Sequence, residues 1–169
     1  METFSKLKDK KEVICYLLKE FYKLGWCTGS GGGISIRESD STVWIARSGV
    51  HKEFLHPDDL FLMKLKGEVM TPPYNGKLKC SECTPLFLQA YNIRNAGAVL
   101  HSHSIYAVLI TKLFDTEFQC IDLEMIKGIQ DHKNTEWCRV PIINNTEFES
   151  ELSESLKNAI LAYPRLHAV

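Results

Sequence analysis

The sequence of 169 residues lacks several features that define broad classes of protein. No apolar run approaches the roughly 20 residues of a membrane-spanning helix. The N-terminal stretch METFSKLKDKKE is polar and contains no apolar segment of the kind found in secretory signals. A large charge of either sign is missing too, because the net charge is −1 at pH 7. We therefore expect a cytoplasmic protein without a nucleic-acid or membrane partner.

Two common motifs are present only in part. The glycine-rich stretch CTGSGGGIS, residues 27–35, is followed neither by the Gly-Lys-Ser/Thr of an ATP-binding P-loop nor by the helix of a dinucleotide-binding fold. Cys80 and Cys83 form a Cys-x-x-Cys pair, but the second pair of a zinc ribbon and the βαβ setting of a redox motif are missing. The six cysteines lie at scattered spacings, so we expect reduced thiols.

Composition and the order of predicted elements indicate one α/β domain over residues 1–169. Hydrophobic residues make up 44% of the sequence and charged residues 24%, as is typical of globular domains. Short turns between several strands favour antiparallel pairing. The predicted strands are GGISIR, TVWIA, DLFLMKLKG and VPII, and TPPYNGK is a predicted loop. Three of the predicted helices have clear ends. The first covers about residues 13–24 and is ended by Gly25. The second has Thr84 as N-cap and runs from Pro85 to about Asn95, and the last has a Thr146–Glu149 capping box and is ended by Pro164.

The stretch AVLHSHS at residues 98–104 places two histidines, His101 and His103, at the end of an apolar run. Side chains two residues apart in a β-strand lie on the same face of the sheet, so both imidazoles would point to one side. Two such imidazoles form half of a metal site. The alternative is an edge strand that ends in polar residues and binds no metal.

The glycine-rich stretch is a candidate anion site. Glycines let the backbone approach a ligand closely and present N–H groups to an anion, and Thr28, Ser30 and Ser35 add hydroxyl groups. RSGV, residues 47–50, is a second turn of small residues at a strand end and could complete the site. The alternative is a flexible turn before a strand.

Two further side chains have a setting that favours chemistry. Glu124 is flanked in sequence by Leu123, Met125 and Ile126, and an apolar environment raises the pKa of a carboxyl group and suits it to acid–base catalysis. Cys83 lies close to the start of a predicted helix, which favours a thiolate. The alternatives are a solvated surface glutamate and a small buried residue.

These features occur in an order that resembles the class II aldolase/adducin family. The matching stretches are GWCTGSGGGIS, RSGVHKE, CTPLF, AGAVLHSHS, EMIKGI and VPIINNT, and the resemblance extends from about residue 12 to residue 169. CTPLF together with EMIKG is typical of the dehydratases of the family. The glycine-rich stretch and the two histidines are shared with its sugar-phosphate aldolases and epimerases.

The resemblance implies a three-layer α/β fold, with a mainly antiparallel central sheet flanked by helices, and assembly into a homotetramer. It implies the zinc-dependent dehydration of 5-methylthioribulose 1-phosphate in methionine salvage, with His101 and His103 as zinc ligands. Glu124 is expected to be the catalytic acid and base, and Cys83 to contact the substrate where the aldolases carry a catalytic glutamate. The other expected substrate-binding residues, which would hold the phosphate, are Ser30, Gly32, Ser48, Gly49 and Ser81.

One ligand of the family's zinc site has no counterpart in this sequence. Catalytic zinc usually has three protein ligands and an open position, and the family supplies the third from a histidine in an RRHG-like stretch after the last helix. The sequence stops before that stretch, and His167 falls several residues too early to be assigned the role. We therefore expect a domain incomplete at its C-terminus that binds zinc weakly. Two alternatives stay open: a sugar-phosphate aldolase or epimerase, and a non-catalytic interaction form.

Overall fold

The structure is a computed structural model that describes residues 9–73 and 79–169. Residues 74–77 of the predicted loop TPPYNGK lie outside the described residues. Contacts between Cα atoms divide the chain into two compact units, Met1–Ile105 and Tyr106–Val169, and each is described by itself. The single domain expected over residues 1–169 stays a prediction.

The described part of the first unit is a five-stranded antiparallel sheet with two α-helices. The strand order is β4-β3-β2-β1-β5, and every neighbouring pair is antiparallel. The elements are α1 (Lys10–Lys23), β1 (Gly33–Arg37), β2 (Thr42–Ile45), β3 (Phe61–Lys64), β4 (Val69–Thr71), α2 (Thr84–Arg94) and β5 (Ala98–His101), with 3-10 helices at Lys52–Phe54 and Pro57–Asp59.

Helix α1 forms because its two ends are capped and one face is apolar. The Asp9 side chain accepts a hydrogen bond of 2.8 Å from the Lys11 backbone N–H at the first turn. Ile14 and Leu18, four residues apart, are fully buried. Gly25 follows the helix with φ +71°, a left-handed conformation that glycine adopts without steric cost. The predicted helix and its stop are confirmed.

The two helices cover opposite faces of the sheet. Ile34 of β1 packs in one buried cluster with Ile14 and Leu18 of α1. Val43 of β2 packs in another with Phe87 of α2. Because side chains alternate between the two faces along each strand, the sheet has a helix on each side. The three-layer α/β arrangement with a mainly antiparallel sheet is confirmed.

Helix α2 begins one residue earlier than predicted. Thr84 is its first residue, and Cys83 takes the N-cap position that we assigned to Thr84. The physical reason is that the Thr84 hydroxyl donates a hydrogen bond of 2.6 Å to the Ser81 carbonyl and therefore closes the preceding turn. Cys83 therefore lies at the N-terminal end of α2, where it is buried with 5% of its surface exposed.

The second unit contains two paired β-strands and two α-helices. Its elements are α3 (Ile105–Leu113, which begins at the last residue of the first unit), β6 (Glu117–Cys120), β7 (Cys138–Pro141) and α4 (Ser153–Ala162), with 3-10 helices at Glu124–Gly128 and Glu149–Leu152. The strands β6 and β7 are antiparallel. The Tyr163 hydroxyl donates a hydrogen bond of 2.9 Å to a Glu117 carboxylate oxygen and joins the end of α4 to β6.

The predicted Thr146–Glu149 capping box is wrong. The Thr146 hydroxyl donates to the Phe148 carbonyl at 2.8 Å, and Phe148 rather than Thr146 is the N-cap of the 3-10 helix that follows. A 3-10 turn occupies residues 149–152, and the α-helix begins only at Ser153. Within the described segments, no helix has the length and apolar character needed to cross a membrane.

Candidate functional site

The candidate site begins with a contact between α2 and β5. The Cys83 Sγ and the His101 Nδ1 lie 3.0 Å apart, within hydrogen-bonding distance for sulfur. His101 is the last residue of β5 and pairs with Gly33 of β1, while Val99 pairs with Ser35. The His101 side chain therefore lies on the face of the sheet that α2 covers, where it meets Cys83.

The two histidines are neighbours, although the strand does not extend through both. Strand β5 ends at His101, and residues 102–104 are irregular. The ring centroids of His101 and His103 are nevertheless 4.7 Å apart, and the ring planes differ by 47°. The His103 backbone N–H donates a hydrogen bond of 2.6 Å to the Trp26 carbonyl, which attaches this residue to the chain before the glycine-rich stretch. The geometry agrees with two imidazoles on one side.

The glycine-rich stretch lies directly against the histidines. We call residues 28–32 the glycine loop. A Cβ atom at Gly31 would be 2.9 Å from the His103 Nδ1, closer than real Cβ contacts. A Cβ atom at Gly32 would clash with the Cys27 Sγ and lie 3.0 Å from the His101 carbonyl oxygen, and the φ angle of Gly32 is +77°. These glycines are therefore needed to make room for the histidine pair, whatever ligand the loop holds.

Four of the five expected phosphate-binding residues belong to two turns of the first unit, and Ser81 precedes α2. Ser30 is exposed in the glycine loop, whereas Gly32 is buried. Gly49 is exposed, has φ +70° and has no atom within 4 Å of a Cβ position. The Ser48 N–H donates to the Lys79 carbonyl at 3.0 Å, which leaves the expected phosphate role to the Ser48 hydroxyl. Ser81 accepts a hydrogen bond of 3.3 Å from the Cys83 N–H through its Oγ.

A buried lysine connects these two turns, and the sequence did not single it out. Lys52 has 2% of its surface exposed. Its backbone N–H donates a hydrogen bond of 3.4 Å to the Gly29 carbonyl, and its side-chain Nζ donates one of 3.1 Å to the Arg47 carbonyl. The only signal in the sequence was its position in RSGVHKE, directly after the second small-residue turn. Burial raises the pKa of the Cys27 thiol, and the charge of Lys52 opposes part of that rise.

Glu124 belongs to the second unit and lies in solvent. It is the first residue of a 3-10 helix, its side chain is 74% exposed, and its carboxylate forms an ion pair of 2.9 Å with Lys127. The apolar setting that we expected around it is wrong for this unit, because Leu123 and Met125 are 52% and 82% exposed and only Ile126 is buried. Its role as catalytic acid and base stays a prediction.

Two of the residues present fit a zinc site, and the described part of the chain places no third protein ligand beside them. Adjacent imidazoles are ligands that zinc prefers, and His101 and His103 are placed to serve together. Among residues 9–73 and 79–169, no group of three or more His, Cys, Asp or Glu side chains could hold a metal ion. Cys83 touches His101 but does not complete such a group.

The fold and this site define an α/β protein with a glycine loop beside a pair of histidines. Residues 12–169 match the class II aldolase and adducin N-terminal domain. The chain belongs to the class II aldolase and adducin family.

Curated relatives and a solved structure agree with this assignment. The chain is 45% identical over 167 residues to a probable methylthioribulose-1-phosphate dehydratase of Drosophila ananassae, with 94% of this chain and 73% of that protein covered. It is 43% identical to a probable bifunctional methylthioribulose-1-phosphate dehydratase/enolase-phosphatase E1 of Populus trichocarpa, with 96% of this chain covered. The chain spans only about a third, 34%, of that bifunctional protein. An L-fuculose 1-phosphate aldolase structure has the same fold, with a TM-score of 0.74 at 19% identity over 92% of this chain and 68% of its own.

Proposed function

We propose that the protein catalyses the dehydration of 5-methylthioribulose 1-phosphate to 2,3-diketo-5-methylthiopentyl 1-phosphate, a step of methionine salvage in the cytoplasm. The observation that carries this proposal is the 45% identity, over 94% of the chain, to a relative named for this dehydratase. The contact between Cys83 and His101 supports it, because it places the cysteine of CTPLF beside the candidate ligands.

The glycine loop and the RSGV turn hold the substrate phosphate in this proposal. Ser30 and Gly49 are exposed at the two turns, and backbone N–H groups in glycine-rich turns favour an anion. The buried Lys52 contacts both turns through its backbone N–H and its amino group, and the amino group adds positive charge. Binding the phosphate at one end fixes which carbons of the substrate face the histidines.

The chemical steps require one group that moves a proton. The substrate has a ketone at C2 and hydroxyl groups at C3 and C4, so the proton on C3 is acidic. Glu124 removes that proton, and the electron pair forms the C2–C3 double bond of an enediolate. The same carboxyl group then donates the proton to the C4 hydroxyl, which departs as water, and the resulting enol rearranges to the 2,3-diketone. The atoms balance, because one proton and one hydroxide leave as one water molecule.

Zinc is the metal that the two histidines fit, and His101 and His103 would hold it. When bound, zinc stabilises negative charge on substrate oxygens as a Lewis acid. The protein's own contribution is to orient the two imidazoles: the Trp26 carbonyl holds the His103 backbone, and β5 holds His101. We further propose that the active protein is a homotetramer with a small sugar phosphate as its substrate.

A direct assay tests the proposed reaction. The purified chain is incubated with 5-methylthioribulose 1-phosphate and zinc, and the diketone is measured by its ultraviolet absorbance. We expect the wild-type chain to form product only slowly, because two protein ligands hold zinc less tightly than three, and we expect none from His101→Ala or His103→Ala. The same preparation is incubated with L-fuculose 1-phosphate, the substrate class named for the aldolase of the same fold. Aldol cleavage of that compound without dehydration of the first would contradict the proposal, as would a folded chain that is inactive on both.

A further inference from the structure

The contact between Cys83 and His101 has a consequence for the metal site that goes beyond substrate binding. A histidine ring has one lone pair and one N–H when it is neutral, and the partner of one nitrogen decides which nitrogen carries the hydrogen. Sulfur lies 3.0 Å from Nδ1 of His101. Whichever group donates in this hydrogen bond therefore decides which ring nitrogen is able to bind a metal.

We propose that Cys83 is a positioning residue that accepts a hydrogen bond from the His101 Nδ1–H and so leaves the Nε2 lone pair of His101 to bind zinc. The inference rests on the proposed function only in taking zinc as the metal. It assigns Cys83 a task in the protein without substrate, whereas the resemblance assigns it a contact with substrate.

The surroundings of the thiol support this direction of the hydrogen bond. A thiol S–H is a weak donor and its sulfur can accept, whereas an imidazole N–H is an ordinary donor. Cys83 is 5% exposed and packs in the buried cluster that includes Phe87 and Tyr91. A side chain held this firmly at the start of α2 keeps the imidazole plane in one orientation. Metal-binding histidines commonly donate their second ring N–H to such a partner, which fixes both the tautomer and the ring.

Burial also separates this role from direct ligation. The Cys83 side chain approaches Nδ1, and the described residues contain no cluster of three side chains that could hold a metal. The sulfur is therefore on the side of the ring away from the Nε2 atom. That placement is the one expected of a group that orients a ligand rather than of a ligand.

Nitrogen-15 NMR of the metal-free, folded protein measures the tautomer directly. We expect His101 to carry its hydrogen on Nδ1 in the wild-type chain and to become a mixture of tautomers in Cys83→Ala. Cys83→Ser keeps an acceptor at the same place, so we expect it to restore most of the Nδ1–H population. A wild-type ring that carries its hydrogen on Nε2 would overturn the proposal, even if the Cys83→Ala chain does not fold.

Zinc affinity, measured by competition with a chelator, gives the second readout. Loss of a group that orients a metal ligand typically costs 10- to 100-fold in affinity, so we expect a loss of about that size in Cys83→Ala. Cys80→Ala is the matched control, because it removes a half-buried thiol from the same region. The Cys80 thiol forms its hydrogen bond with the Thr84 hydroxyl rather than with a histidine. An equal zinc affinity in Cys83→Ala and Cys80→Ala would contradict the proposal.

His101→Ala separates this inference from the proposed function. A loss of zinc affinity in His101→Ala without any loss in Cys83→Ala would reject the role of Cys83. The same result would support His101 as a zinc ligand. Unchanged zinc affinity in His101→Ala would instead reject His101 as a ligand, and with it the metal site of the proposed function. Neither readout depends on turnover, so an inactive preparation still decides the question.

Discussion

At the scale of single residues, the glycine loop has a steric role that the sequence alone did not reveal. We interpreted the run of glycines as a place where the backbone approaches a phosphate. Gly31 and Gly32 lie instead against His103, Cys27 and the His101 carbonyl, where a side chain would not fit. Both roles are compatible, since neighbouring residues of one loop can face a ligand and the histidines.

Gly31→Ala tests the contact with His103. The new Cβ would be 2.9 Å from the His103 Nδ1, and the exposed ring would have to move away. We expect weaker zinc binding with little change in the free energy of unfolding, measured by chelator competition and by urea titration. Gly97→Ala is the control, because its Cβ position meets no atom within 4 Å. Equal zinc affinity in the two variants would show that the ring does not need this space.

Gly32→Ala is expected to destabilise the fold itself. Its φ of +77° is a conformation that costs an alanine about 1–2 kcal/mol, and the clash with the Cys27 Sγ and a backbone carbonyl adds about 1–3 kcal/mol of overpacking. Gly25→Ala has a similar φ of +71° with no atom within 4 Å of the new Cβ, so it measures the backbone part alone. Urea unfolding should show a larger loss for Gly32→Ala, and an equal loss would remove the steric argument.

Glu124→Gln tests the acid–base role that the resemblance implies. The amide keeps the size of the side chain but cannot accept and return a proton, so we expect zinc binding to be kept and the dehydration rate to fall at least about a hundredfold. Glu147→Gln, another exposed glutamate of the second unit, is the control. A wild-type rate in Glu124→Gln would show that Glu124 is not the catalytic acid and base.

At the scale of elements, a chain of hydroxyl groups joins α2 to the sheet. The Tyr91 hydroxyl of α2 donates to the Ser35 Oγ at 2.9 Å, and the Ser35 Oγ donates to the Trp44 carbonyl at 2.8 Å. Tyr91 and Ser35 are both buried. These two hydrogen bonds therefore connect α2 to β1 and β2 on the face of the sheet where His101 meets Cys83.

This arrangement predicts a loss of stability at alkaline pH. Burial, the main cause, raises the pKa of Tyr91 from an ordinary value near 10 to about 12. Since the folded state holds the proton more tightly than the unfolded state, the stabilisation is complete below about pH 10 and is lost as the pH rises towards about 12. We expect Tyr91→Phe to flatten this part of a stability-against-pH curve, measured by urea unfolding at each pH. Parallel curves for the two chains would contradict the assignment.

At the scale of the whole molecule, zinc binding is limited by the number of protein ligands. The described residues provide two adjacent imidazoles and no cluster of three ligating side chains, and two ligands hold zinc less tightly than three. We expect the purified chain to carry less than one zinc per molecule by metal analysis. Added zinc should raise the melting temperature in proportion to the logarithm of its concentration above the dissociation constant.

The control for this prediction is the double variant His101→Ala and His103→Ala, whose melting temperature should not respond to zinc. One tightly held zinc per wild-type chain would mean that another group completes the site. Loss of that zinc in His167→Ala would then identify His167 as the third ligand, contrary to our expectation that His167 falls several residues too early in the sequence.

The sequence by itself determined the family, the antiparallel α/β architecture, the helix that ends before Gly25 and the pairing of His101 with His103. These features depend on local periodicity, capping residues and motif order, which a linear sequence records. Only the tertiary structure decided that Cys83 meets His101, that Gly31 and Gly32 clear space for the histidines, and that Glu124 is exposed to solvent in its own unit. Those contacts join residues that are far apart along the chain, and their distances depend on how helices pack on the sheet rather than on the identity of neighbours in sequence.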